Sequence, residues 1–360
     1  MAASASLLLS AAALVGSAAA MPLLFDESAL CEGAACDKPD MKYERIADVQ
    51  PGSQWGDAGG YCGSWASQRA ILHVGAWVSQ QQVRDHTTHC NTTLPNGGHD
   101  AEVMSCNIDE AWKNLKIDYN RFDFENTPLP QTAAYSKWLK QQLVAGYVVA
   151  WMIMWSGQQY PIYNLTAPSG MYGHVEPVVG IQSNHPLTDE TVYDDDVVLH
   201  YNDGGNETMH RKISSLPCKW AGPGQKAKCG LYHYGIGFPY GFGWAAKGFT
   251  QDIRSQAAAP ASLAINPWDK EPDTRNGTDH TGCLTCAAVP LMGTLTATEL
   301  TVGKSYDIYR WDTVAGAFTY SDEHKKTSFT AAAVKHVYAD DKSFQSDGTT
   351  YYRVVLTPGQ

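Results

Sequence analysis

The chain has 360 residues, with 26 Lys and Arg against 37 Asp and Glu and a formal charge of -11. That balance argues against a nucleic-acid or anionic-membrane partner, because phosphate contacts rely on clustered Lys and Arg and no basic block occurs. The length suits one enzyme-sized core with a small extra module, and after the N-terminal segment no apolar run reaches the roughly 18 residues of a membrane span. The longest candidate, Val148 to Trp155, is too short.

Residues 1–20 join a short apolar segment to the small residues Ala18, Ala19 and Ala20, which predicts a cleaved signal peptide without the usual basic start. Sequons at Asn91, Asn164, Asn206 and Asn276 fit the same passage through an oxidising, glycosylating compartment. The expected location is therefore extracellular, or a secretory or lysosomal-type lumen. Residues 21–50 read as an irregular N-terminal extension, too short for a long inhibitory pro-segment.

From Gly63 the apolar residues Ala66, Ala70, Val74 and Trp77 recur at helical spacing, flanked by Ile71 and Val78, and predict one long helix to about Gln80. A second helix is expected with Asn107 as cap, Ile108, Ala111, Trp112 and Leu115 on one face, and Asp109 and Glu110 in the first turn. A third spans about Ala133 to Ala145. The period then changes. Tyr147 to Trp155, His174 to Gln182 and Thr191 to Tyr201 are rich in Val, Ile, Tyr and Trp between turn residues, and read as strands. Helices first and strands second is an α+β layout. Gly222 to Gly248 is expected as ordered loops, residues 251–282 as a linker, and residues 283–360 as a C-terminal β module whose clearest strands are Tyr306 to Trp311 and Thr350 to Val355.

Nine cysteines leave one thiol over in an oxidising compartment. With Cys62 set aside, the simplest accounting bridges chain neighbours: Cys31 with Cys36, Cys90 with Cys106, Cys218 with Cys229, and Cys283 with Cys286. His86, His89, Cys90 and His99, and the Cys283-Leu-Thr-Cys286 pair, superficially suggest metal ligation. Zinc would need a second matched pair, so disulfides are the better account and neither metal nor cofactor is expected. Asp194 to Asp196 reads as a solvated turn, and Glu176 as a solvated charge or a residue tuning its neighbour His174.

The chemistry concentrates in three places. Cys62 follows a glycine-rich turn and opens a helix, where the macrodipole and open backbone N–H groups favour a thiolate. His174 starts an apolar run in Tyr172-Gly-His-Val-Glu-Pro-Val-Val-Gly180, and Val197-Val-Leu-His-Tyr ends in Asn202 and Asp203. A nucleophilic thiol needs an imidazole that takes its proton and later returns it to the leaving amine, and the imidazole needs an acceptor that fixes its tautomer.

Gly59-Gly-Tyr-Cys62-Gly-Ser-Trp-Ala-Ser, Gly173-His174-x-x-x-Val-Val-Gly180-Ile and the Tyr-Asn202-Asp203 strand end resemble the papain-like cysteine peptidase superfamily, nearest to its C39-like, bacteriocin-processing-type branch. The resemblance covers residues 50 to 205 and implies a papain-like α+β fold, within a domain bounded at 51–250. It also implies Cys62 as nucleophile, His174 as general base and acid, and Asp203 or Asn202 as the orienting group. Gln54 is the oxyanion donor it suggests, eight positions before Cys62 and further than the usual spacing. The expected activity is hydrolysis of a peptide or protein through a thioester acyl-enzyme, with a further ligand for the C-terminal module. The alternative is a catalytically inactive homologue acting as a binding protein.

Overall fold

The computed structural model describes residues 41–52, 54, 61–87, 106–128, 131–156, 171–201, 208–213, 235–236, 242–266 and 290–359. The expected signal peptide, the four sequons, Asn202, Asp203, and every cysteine except Cys62 and the backbone of Cys106 lie outside those residues, as do the histidines His89 and His99.

Strand β1 (Tyr43–Ile46) precedes helix α1 (Cys62–His73). The helix ends well before Gln80, because Gly75 takes φ +91°, the left-handed conformation that closes helices, and donates its N–H to Leu72 O at 3.1 Å. A Cβ at Gly75 would stand 3.2 Å from Ala261 O and 3.3 Å from Tyr352 O, so the same glycine lets two strands pass close by. The apolar positions beyond it belong to a strand, β2 (Ala76–Val78), and a short helix, α2 (Gln80–Asp85), capped by Ser79 Oγ accepting from Gln82 N–H at 3.0 Å.

Helix α3 (Cys106–Asn114) takes Asn107 into its first turn instead of using it as the cap. Asp109 does more than complement the dipole, since its carboxylate accepts from Trp244 Nε1 at 2.9 Å and pairs with Arg121 at 2.9 Å. Strand β3 (Ile117–Arg121) and helix α4 (Thr132–Val144) follow, then β4 (Val148–Ser156), β5 (Met171–Ser183), β6 (Val197–Tyr201), β7 (Thr208–Lys212), β8 (Gly235–Ile236) and β9 (Phe242–Phe249). Strand β6 is shorter than expected because Asp196 is buried and ties residues 191–196 into a turn: its carboxylate accepts from Lys140 Nζ at 2.8 Å and from Tyr193 N–H at 3.0 Å. Strand β9 corrects the expectation of loops through Gly248.

These strands form an eight-stranded sheet in the order β3-β9-β4-β5-β6-β7, with β1 on β5 and β8 on β4, every pairing antiparallel. Helix α1 lies on one face and α4 on the other. Alternation along β4 assigns the faces: Val148 and Ala150 join Trp65, Ala66 and Ala70 of α1 in one apolar cluster, while Val149, Trp151 and Ile153 join Tyr135, Leu139 and Leu143 of α4 in a second. This is the α+β mixture of helices and antiparallel sheets that the sequence predicts.

The remaining strands are β10 (Ala258–Ala259), β11 (Ala261–Asn266), β12 (Pro290–Ala297), β13 (Ser305–Trp311), β14 (Lys325–Thr330), β15 (His336–Ala339), β16 (Phe344–Gln345) and β17 (Thr349–Leu356). They build two further antiparallel sheets, β10-β17-β13-β14 and β11-β12-β15 with β16 on β12. Strands β10 and β11 fall in the stretch expected as a linker. Its Ala-Pro composition concealed them, yet Ala261, Leu263 and Ile265 alternate into the core. Nor is the C-terminal part appended, because β2 pairs with β17 and Trp77 packs against Phe344 at 6.1 Å. One continuous apolar cluster runs from α1 through Trp77 to Tyr351 and Tyr352. Among the described residues no helix is long and apolar enough to cross a membrane.

Candidate functional site

Cys62 opens α1, and Trp65 N–H closes the first turn on Tyr61 O at 2.8 Å. Tyr61 supplies no side-chain cap. Its ring is held from the other side, with the Arg84 guanidinium 3.6 Å above it and its hydroxyl donating to Gln81 Oε1 at 2.6 Å. Cys62 is a thiol outside any disulfide, 5% exposed, and its side chain belongs to the apolar cluster on the α1 face. The helix end favours an anion at that position, whereas enclosure by apolar groups opposes one.

His174 lies elsewhere. In β5 it alternates with Glu176 and Val178, and it pairs across the ladder with Ile153 as Glu176 pairs with Trp151. Val178, Ile153 and Trp151 all belong to the α4 face, while Val175 and Val179 belong to the α1 face with Cys62. Neighbours across an antiparallel ladder share a face, so the imidazole projects toward α4 and the thiol toward the opposite side of the sheet. The two residues do lie toward the same end of the molecule. The C-terminal end of α1, at His73, feels Gly146, Arg45 and Asp48, and Arg45 and Ile46 pair with Ile181 and Gly180. About 18 Å of helix therefore carries Cys62 toward the start of β5, but onto the other face.

His174 has the neighbour named as able to tune it, together with a partner the sequence reading missed, His200. Glu176, expected as a solvated charge or as a residue tuning His174, is fully buried between two imidazoles, with Oε2 2.6 Å from His200 Nδ1 and Oε1 3.5 Å from His174 Nε2. His200 also lies on the α4 face, opposite Val178 in the ladder, with its ring 5.3 Å from that of Trp151. Burial drives the His174 pKa down to about 4, against the pull of Glu176, and the neighbouring His200 lowers it further. His174 is thus a neutral imidazole in the core at neutral pH. The signal was available: Glu176 at i+2 from His174 and His200 next to Tyr201 both sit in apolar runs whose alternation buries them. Among the described residues no group of three or more His, Cys, Asp or Glu side chains could hold a metal ion.

Gln54 is buried on the segment from β1 to α1. That segment is tied down by Ala47 N–H to Val179 O at 2.8 Å, Tyr201 Oη to Val49 O at 2.6 Å, and Arg69 Nη1 to Pro51 O at 2.9 Å. The expected orienting residues Asn202 and Asp203 lie outside the described residues.

A second constellation occupies the seam between the eight-stranded sheet and the C-terminal sheets. A cleft of about 680 Å³ opens there, walled by the end of α1, the turn before β4, β1, the end of β9, and residues 258–262, Thr296, Thr298 and Glu299. His73 lines it with a buried Nδ1 that has no hydrogen-bond partner among the described residues.

The chain matches no protein-family model and no curated protein sequence.

Proposed function

We propose that this chain is a secreted, non-hydrolytic binding protein that uses a papain-type helix-on-sheet fold as a scaffold, with Cys62 and His174 as core residues. The observation that carries this reading is the separation of thiol and imidazole by the sheet. Proton exchange between them requires hydrogen-bond reach, about 2.6–3.2 Å, and the β5 alternation turns His174 to Glu176 and His200 instead. The seam cleft supplies what a binding protein needs, a concavity walled partly by the C-terminal strands. Secretion rests on residues 1–20 and the four sequons.

Graded-pH treatment of the folded mature protein with iodoacetamide, followed by mapping of the modified cysteine, tests the reading. Cys62 should react only once the protein is unfolded, and Cys62→Ala should change no hydrolytic activity. Alkylation of Cys62 in the folded protein near pH 6, with hydrolysis abolished in both Cys62→Ala and His174→Ala, would overturn it.

A cysteine peptidase acting on a peptide or protein through a thioester acyl-enzyme is the second reading. The thiol of Cys62 at the start of a helix favours it. So does the direction of α1, which brings Cys62 toward the end of the sheet where β6 leads into Asn202 and Asp203. On that reading a group other than His174 takes the proton.

A further inference from the structure

We infer that the seam cleft binds a neutral, polyhydroxylated ligand of oligosaccharide class; this deepens the binding-protein reading and rests on it. Three basic groups (Arg45, Lys247, Arg353) face three acidic ones (Asp48, Asp118, Glu299) around the lining. Three of these six groups are already neutralised, Lys247 and Asp118 by each other at 3.2 Å and Arg353 by Asp252 at 2.8 Å, which leaves Arg45 beside Asp48 and Glu299. With groups of both signs left side by side, a polyanion or a polycation would meet repulsion as well as attraction in such a cleft.

Donors and acceptors nevertheless line it densely. Ser262 and Thr296 add hydroxyls from β11 and β12, Thr298 adds one just past β12, and Tyr147 adds an aromatic side chain. A ligand that satisfies carboxylates, guanidinium groups and hydroxyls together must donate and accept repeatedly while carrying no charge, which describes a chain of sugar hydroxyls. Small-molecule sites occupy roughly 300–1,000 Å³, and 680 Å³ is in that range and far too roomy for a single amino acid.

Gly146 at φ +88° lets the Arg45 guanidinium lie against the backbone, since a Cβ there would fall 2.6 Å from Arg45 Nη2.

The test is calorimetric titration of the full mature chain with cellotriose, chitotriose, maltotriose and mannotriose, with glutamate, lysine and inorganic phosphate as charged comparators. At least one trisaccharide should bind, with an affinity that 0.5 M NaCl leaves within twofold, and Arg45→Ala and Lys247→Ala should each weaken it at least tenfold while leaving the melting temperature within a few degrees. Binding of a charged comparator alone, trisaccharide binding indifferent to both substitutions, or no binding of any trisaccharide would each overturn the inference. Cys62 reactivity reports separately on the broader reading, so an inert Cys62 with no saccharide bound would remove only the ligand class.

Discussion

Acidification should expose the buried imidazole of His174. In the folded chain its pKa lies at about 4, below the ordinary 6.5, because burial disfavours the charged ring. The unfolded chain takes up this proton as pH falls through 6.5, and the folded chain does so only near 4. The neutral ring's contribution is therefore fully present above pH 6.5 and is lost progressively down to about 4. At 1.36 kcal/mol per tenfold change the loss amounts to about 3 kcal/mol, a large part of the roughly 5–15 kcal/mol that holds an ordinary domain folded. Urea denaturation at several values between pH 7 and pH 4, on the natural chain and on His174→Gln, isolates it. The substitution keeps a polar group near Glu176 but cannot titrate, and protonation of carboxylates common to both proteins cancels in the difference. The natural chain should lose about 3 kcal/mol more than the variant over that interval. Parallel pH profiles would refute the placement of His174 in the core and reopen its role as an exposed base.

The other predictions concern the frame around the candidate sites. Gly180→Ala would drive a Cβ to 2.8 Å from Arg45 O, pushing β1 off β5, and should cost about 1–3 kcal/mol in equilibrium denaturation. Lys140→Met strands the buried Asp196 carboxylate and should cost about 3–5 kcal/mol; adding Asp196→Asn should restore part of that loss, and a double variant no more stable than Lys140→Met would contradict the pairing. Trp77→Ala removes a fully buried side chain where β2 meets β17 and should cost about 3–5 kcal/mol, with fluorescence and circular dichroism still following one shared transition. Residues 283–360 expressed alone should remain unfolded by circular dichroism, since β17 there lacks β2 and β10.

Several elements were legible in the sequence. Val148 to Ser156 and Met171 to Ser183 are rich in β-branched and aromatic residues, and both form strands within a residue or a few of expectation. Helix α4 was bounded to within a residue at each end, and the start of α1 at Cys62 followed from the glycine-rich turn before it. Helix α1 was overextended because Val74, Trp77 and Val78 fit both a helical stripe and a strand that is buried throughout, and a local pattern cannot separate the two. What separates them is Gly75, whose left-handed turn delivers β2 to a partner more than 270 residues away.

The candidate site shows the same division. The sequence by itself established the residue types, their order, the helix start at Cys62 and the strand that carries His174. The tertiary structure alone decided which way that strand turns its side chains. Alternation states that His174 and Glu176 share a face, but which face meets α1 depends on the register of β5 against β4 and on the side from which each helix packs, and neither is encoded within a short window. A shift of one residue in that register would have turned His174 toward Cys62. The contacts that fix the register, from β1 at Gly180 to Trp151 beside His200, come from segments far apart in the chain.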